Sequence, residues 1–219
     1  MSLHYVSCAL VLASCAAPVS AVMPPTLPPT SVTTVLVPDE RYSPLAVSEM
    51  GREAAKILKR SGLAFHWRVS PADEVYAGLL IVVRLRGRCD MDSQPAEMRT
   101  GALGWSHEVN GKILPFSDLA CDRIRGVIQP AMPENRVQEN LLLGRAMGRV
   151  LAHELYHVLA NTDGHRAGGV TQPGLSAREL TSGRMELRLS DIEAIQNGLR
   201  KRVSGRASAA LAGLGDPSQ

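Results

Sequence analysis

At 219 residues, 45% hydrophobic and 21% charged, the chain is long enough for one substantial core and short for two. Its formal net charge is only +3, with Lys and Arg scattered rather than gathered into a block. That excludes a nucleic-acid binder driven by bulk charge, and Arg123, Arg125 and the run Arg200-Lys201-Arg202 read as solvated faces.

In chain order, Met1 to Ala21 contains no Asp, Glu, Lys or Arg, and Val6 to Ala17 is apolar and small-residue, the pattern of an export signal. The run is short of the about 20 apolar residues a membrane span needs. Small residues at Val19-Ser20-Ala21 offer a cleavage site. Leu12-Ala13-Ser14-Cys15 resembles a bacterial lipobox, which makes lipidation of Cys15, and so a membrane tether, the alternative. Either way the mature protein is expected in the periplasm or secreted. Residues 22–30, with the run PPTLPP, form an extended linker, and the folded domain is expected over 31–203. The small-residue tail 204–219 is expected to be loose.

Within the domain, Ser31 to Val37 is β-branched and stops at Pro38, predicting a strand. Pro44 to Ser61 carries Leu45, Ala46, Met50, Ala54, Ile57 and Leu58 at helical intervals and closes at Gly62, predicting an amphipathic helix. Leu63–Val69 and Leu79–Leu85 read as strands, the second apolar enough for the middle of a sheet covered on both faces. After a loop over Arg86–Arg99, Gly101 to Phe116 contains Asn110-Gly111, the strongest short hairpin signal in the chain. A further strand is expected over Leu119–Ile124, carrying Cys121 into the sheet. Pro130 and Pro133 precede a long helix over Asn135–Ala160, and Ser190–Arg202 reads as a last helix with Ile192 and Ile195 inward.

Cys8 and Cys15 belong to the signal, which leaves Cys89 and Cys121 as an even pair in the domain. In an oxidising compartment they are expected to form a disulfide, with two buried free thiols as the alternative. Their wide separation lacks the C-x-x-C spacing of a structural zinc site.

The long helix ends in His153-Glu154-Leu155-Tyr156-His157. Histidines four apart on a helix differ by roughly 40° in direction and 6 Å along the axis, so both imidazoles leave one face and can grip one metal ion. Glu154 stands about 100° round, badly placed to join them but able to take a proton from a water held by that ion. Two histidines alone hold zinc weakly, so a third protein ligand is required.

This order of elements and this motif resemble the zincin metallopeptidases, and more particularly the metzincin catalytic domain. The resemblance implies an α+β fold, zincin-like, with a twisted mixed β-sheet backed by an N-terminal helix and the HExxH helix. It also implies a zinc ion (Zn2+), a peptide or protein substrate, and Glu154 as general base and acid. Metzincins continue H-E-x-x-H-x-x-G-x-x-H or D; here the glycine position holds Ala160 and the third-ligand position holds Asp163. His165 stands two residues later, and a turn through Asn161 and Gly164 would deliver it, since Asn and Gly tolerate left-handed backbone angles. The expected ligand set is therefore His153, His157 and His165, with Asp163 as the alternative. Glu179, in the manner of thermolysin-like enzymes, is a third candidate, but Ser176-x-x-Glu179 also reads as a capping box.

Met185 fits either a methionine turn or ordinary core. Tyr156 points away from the metal, towards packing or a hydrogen-bond partner. His66 and His107 read as surface or satisfied histidines, while Trp105 is placed to line a cleft if its hairpin forms the sheet edge beside the helix. Two non-hydrolytic classes stay open: a zincin-like domain that binds metal but is catalytically silent, and a non-enzymatic envelope protein.

Overall fold

A computed structural model of the chain describes residues 31–70, 78–92 and 100–213, with side chains described as far as Arg202. The signal segment, Cys15 and the Pro-rich linker lie outside the described residues. The elements run β1 (Ser31–Pro38), α1 (Pro44–Leu58), β2 (Ala64–Val69), β3 (Leu79–Arg86), β4 (Gly104–Val109), β5 (Lys112–Ala120), α2 (Cys121–Ile128), α3 (Arg136–Ala160), α4 (Ala177–Thr181) and α5 (Leu189–Gly213).

The strands form one mixed sheet in the order β2-β1-β3-β5-β4, parallel throughout except for β4, which runs antiparallel on β5. The β4–β5 turn uses Asn110 at φ 51° and Gly111 at φ 72°. Both positive angles suit the right-handed twist of a hairpin, as the Asn-Gly pair implies. The sheet buries one face: Ile81, Val83 and Leu85 of β3 are fully buried, whereas Leu80 is 37% exposed. β3 is central, as expected, but it is not covered on both sides. Arg84 and Arg86 alternate with its buried residues, and a period of two puts them on the open face.

Two further expectations are corrected. The strand expected over Leu119–Ile124 is instead the end of β5 followed by α2, so Cys121 opens a helix rather than lying in the sheet. Ile124 and Ile128, four apart, bury one helical face, and Asp122 in the first turn complements the helix N-terminus. The last helix also runs well past Arg202, to Gly213, through an alanine-rich stretch with high helix propensity, where a loose tail was expected.

α1 and α3 cross at very short range because Gly144 and Gly148 lie at the contact. A Cβ on Gly144 would stand 2.4 Å from the Ala46 carbonyl oxygen, and one on Gly148 2.7 Å from that of Met50. Beside this crossing the buried Arg149 ties three elements together. Its Nε lies 3.1 Å from Glu53 Oε1 of α1, and its other nitrogens donate to the carbonyls of Glu179, Ser182 and Gly183. Cys89 and Cys121 are bonded, joining the end of β3 to α2. These contacts fix the axis of α3, and that axis aims the motif.

Candidate metal centre

α3 begins at Asn135, whose side chain accepts from the backbone N–H groups of Val137 and Gln138, and ends at Asn161 in the left-handed conformation at φ 52°. The Asn161 N–H returns to the His157 carbonyl, and its Oδ1 accepts from the Ile113 N–H of β5. Asn161 thus makes the turn that the missing glycine would have made. Gly164 is not among the described residues with positive φ, so the second half of the expected turn is not needed.

The turn brings His165 back over the helix end. Ligand atoms of His153, His157 and His165 lie within 4.8 Å of one another, and among the described residues this is the trio of His, Cys, Asp or Glu that could hold a metal ion. His157 is buried and His165 exposed. Asp163 lines the same cavity but is outside the trio. Glu179 is committed elsewhere, since its Oε2 accepts from the Ser176 N–H at 2.8 Å and hydroxyl at 2.6 Å in the capping box of α4. Those bonds hold its carboxyl below the usual range.

The protonation pattern fits a cation. His153 Nδ1 lies 2.6 Å from the Val170 carbonyl and His157 Nδ1 lies 2.7 Å from the Thr162 carbonyl. A carbonyl only accepts, so each ring carries its hydrogen on Nδ1 and leaves a lone pair on Nε2. The two Nε2 atoms face each other at 3.0 Å. Burial lowers the pKa of His153 to about 4 against the pull of the Val170 carbonyl, and burial also lowers that of His157. Two lone pairs pointed at one spot repel unless something positive stands between them. A tetrahedral zinc at about 2.0–2.1 Å from each nitrogen spaces two ligand nitrogens by roughly 3.3–3.4 Å, near the separation present. The donor set therefore fits zinc, with imidazole nitrogens throughout and the Val170 and Thr162 carbonyls orienting two of the rings.

Glu154 is buried beside the trio, and burial lifts its carboxyl to about 7, opposed by a hydrogen bond from Ser106. The Ser106 hydroxyl, on β4, lies 2.9 Å from Glu154 Oε2. Sequence reasoning missed Ser106; a serine on a strand carries no local signal of a partner forty-eight residues away on a helix. The carbonyls of Thr162 and Val170 were likewise invisible, because backbone groups have no residue type.

A cavity of about 630 Å³ opens over the cluster, lined by His153, Glu154, His157 and His165, by Gly104 and Trp105 of β4, and by Val150 and Leu175. Trp105 lines the cleft from the edge strand, as its hairpin position implied. Tyr156 is fully buried, its ring 5.6 Å from that of His157. Met185 is buried in the core. His107 is paired with Asp118 at 2.5 Å, a satisfied histidine, and His66 is exposed.

No family model matches the sequence, and no curated protein matches it. Among solved structures the chain is similar to the archaemetzincin of Methanopyrus kandleri, with a TM-score of 0.50 at 12% identity, covering 77% of this chain and 96% of that one. At that identity the likeness speaks for the fold, and the fold of this chain is metzincin-like.

Proposed function

We propose that this protein is an exported zinc metallopeptidase in which His153, His157 and His165 hold the metal and Glu154 is the proton carrier. The observation that carries the reading is the facing pair of unprotonated Nε2 atoms on His153 and His157, with His165 closing the trio. A zinc ion bound there supplies Lewis acidity, which makes a water molecule a nucleophile at neutral pH and polarises a carbonyl oxygen.

The chain's own groups supply the rest. Val170 and Thr162 fix the tautomers through their carbonyls, so no imidazole proton has to leave when the metal enters. Glu154 lines the cavity beside the trio, where its carboxylate can accept a proton from the attacking water and return it to the leaving amine nitrogen. The cavity is open along β4, which lies at the sheet edge, so an extended peptide can lie beside that strand with its scissile carbonyl over the histidines.

Export is supported by the uncharged residues 1–21 and by the Cys89–Cys121 bond, which belongs to an oxidising compartment. Among the described residues no helix is long and apolar enough to cross a membrane. The lipobox-like run ending in Cys15 supports a lipid tether as the alternative to full release.

The decisive experiment pairs elemental analysis with digestion of a broad peptide library. Wild type is expected to carry about one zinc and cleave peptides, and Glu154→Gln to keep the zinc and lose cleavage. Equal cleavage by Glu154→Gln rules the mechanism out, and zinc without any cleavage by wild type leaves a silent metal-binding domain.

A further inference from the structure

We propose that β4 is the seat of the Glu154 carboxylate, with Ser106 and Gly104 as positioning residues and Ser117 as the brace behind Ser106. The inference rests on the metallopeptidase reading and adds residues to it. Gly104 and Ser106 are two apart on one strand and so face the same side, towards α3. The Ser106 hydroxyl lies 2.9 Å from Glu154 Oε2, 3.2 Å from the Glu154 backbone carbonyl and 3.0 Å from the Ser117 hydroxyl.

A hydroxyl has one proton to give. When Glu154 is ionised its carboxylate, like the backbone carbonyl, only accepts, so the Ser106 proton goes to Glu154 and the Ser117 proton comes to Ser106. Ser117 is fully buried on β5, the partner of β4, and cannot turn to water instead. The result is a directed chain from β5 through β4 to the carboxylate.

Gly104 closes the other side. A Cβ there would stand 2.9 Å from Glu154 Oε1, 3.0 Å from its Cγ and 2.8 Å from Val150 Cγ1. One carboxylate oxygen is therefore pressed to the bare backbone of Gly104 while the other is bonded to Ser106, and the group lies along the strand. An unanchored glutamate samples several rotamers. Held at both ends, Glu154 keeps one. The strand that flanks the cleft is then also the strand that places the proton carrier.

A satisfied buried hydrogen bond with no catalytic consequence would look the same at rest, so the test must separate the two. Ser106→Ala is expected to stay folded at the assay temperature and keep full zinc content, yet lose roughly ten- to hundredfold in kcat with little change in KM, as small misplacements of reacting groups do. Ser106→Thr, which retains the hydroxyl, is expected to recover most of the loss, and Gly104→Ala to lower kcat with zinc retained. A crystal structure of Ser106→Ala is expected to show the Glu154 carboxylate moved off β4. Wild-type kcat in Ser106→Ala, or an unmoved carboxylate in that crystal, overturns the proposal. If wild type itself binds zinc and cleaves nothing, the metallopeptidase reading falls, while the position of the carboxylate in the two crystals still decides this one.

Discussion

His153 and His157 present their Nε2 atoms to each other at 3.0 Å, each with its Nδ1 hydrogen given to a backbone carbonyl. The first prediction concerns the third member of this group. His165→Ala is expected to weaken zinc binding by more than the roughly 10–100-fold typical of changes in the outer shell, because it removes a direct ligand. Asp163→Asn, which changes a cavity-lining carboxyl outside the trio, is expected to bind zinc as wild type does. Competition against a chelator of known affinity measures both, and a loss in Asp163→Asn matching that of His165→Ala would reassign the ligand.

Burial of Glu154 has a consequence for the stability of the zinc-free protein. Its carboxyl rises from an ordinary 4.5 to about 7, so between those values the folded chain keeps a proton that the unfolded chain has released. Stability from this group is therefore full at low pH and lost as pH rises through that window, by about 3 kcal/mol at pH 8. His153 acts oppositely: its pKa falls from 6.5 to about 4, so its contribution is present above 6.5 and lost as pH falls towards 4. Glu154→Gln removes only the first effect. In the presence of chelator the variant is expected to be more stable than wild type at pH 8, with the difference closing towards pH 4.5. Denaturant midpoints across that range check it, and identical midpoints at pH 8 would mean the carboxyl is not desolvated.

What was legible in the chain was what local geometry dictates. The spacing of His153, Glu154 and His157 determines their directions on any helix, and Asn161 announces a left-handed turn by its residue type. Cys121 was misplaced because Leu119-Ala120-Cys121 suits a strand or a helix start equally, and only the burial of Ile124 and Ile128 against the core decides. The contacts of Ser106 and Gly104 with Glu154 depend on the strand order β3-β5-β4, which brings the hairpin under the C-terminal half of α3. No local pattern encodes that order. The Gly144–Gly148 spacing was present in the sequence, but a helical glycine pair gains meaning only when the partner backbone is known.

Arg149 should be one of the least replaceable residues outside the metal cluster. It is 2% exposed, paired with an equally buried Glu53, and it satisfies the carbonyls of Ser182 and Gly183 at 2.8 Å. Arg149→Met leaves the buried Glu53 carboxylate with the exposed Lys56, 3.5 Å from its Oε2, in place of its buried partner, and is expected to cost up to about 3–5 kcal/mol, the range for a buried charge that loses its pair. Glu53→Gln combined with Arg149→Met removes the stranded charge and is expected to regain part of the loss. Urea midpoints of the two proteins measure the difference. A double variant no more stable than the single one would show that the carbonyls, rather than the ion pair, are what Arg149 supports.

The last prediction follows from where the disulfide lies. Cys89 and Cys121 are separated by 32 residues, a loop whose closure in the unfolded chain is worth about 3–4 kcal/mol on the chain-entropy account. The Cys89 carbonyl accepts from the N–H of Ser43, the N-cap of α1, and its N–H donates to Arg41, so the bond also secures the entry to the helix that packs on α3. Neither cysteine is a member of the group that could hold the metal. Cys89→Ala with Cys121→Ala is therefore expected to lower the unfolding free energy by about that amount while leaving zinc stoichiometry at one per chain in the folded protein. Thermal unfolding with and without a reductant tests it in wild type as well. A midpoint indifferent to reduction would mean that the closed loop is already ordered by its packing, and that the bond adds no constraint of its own.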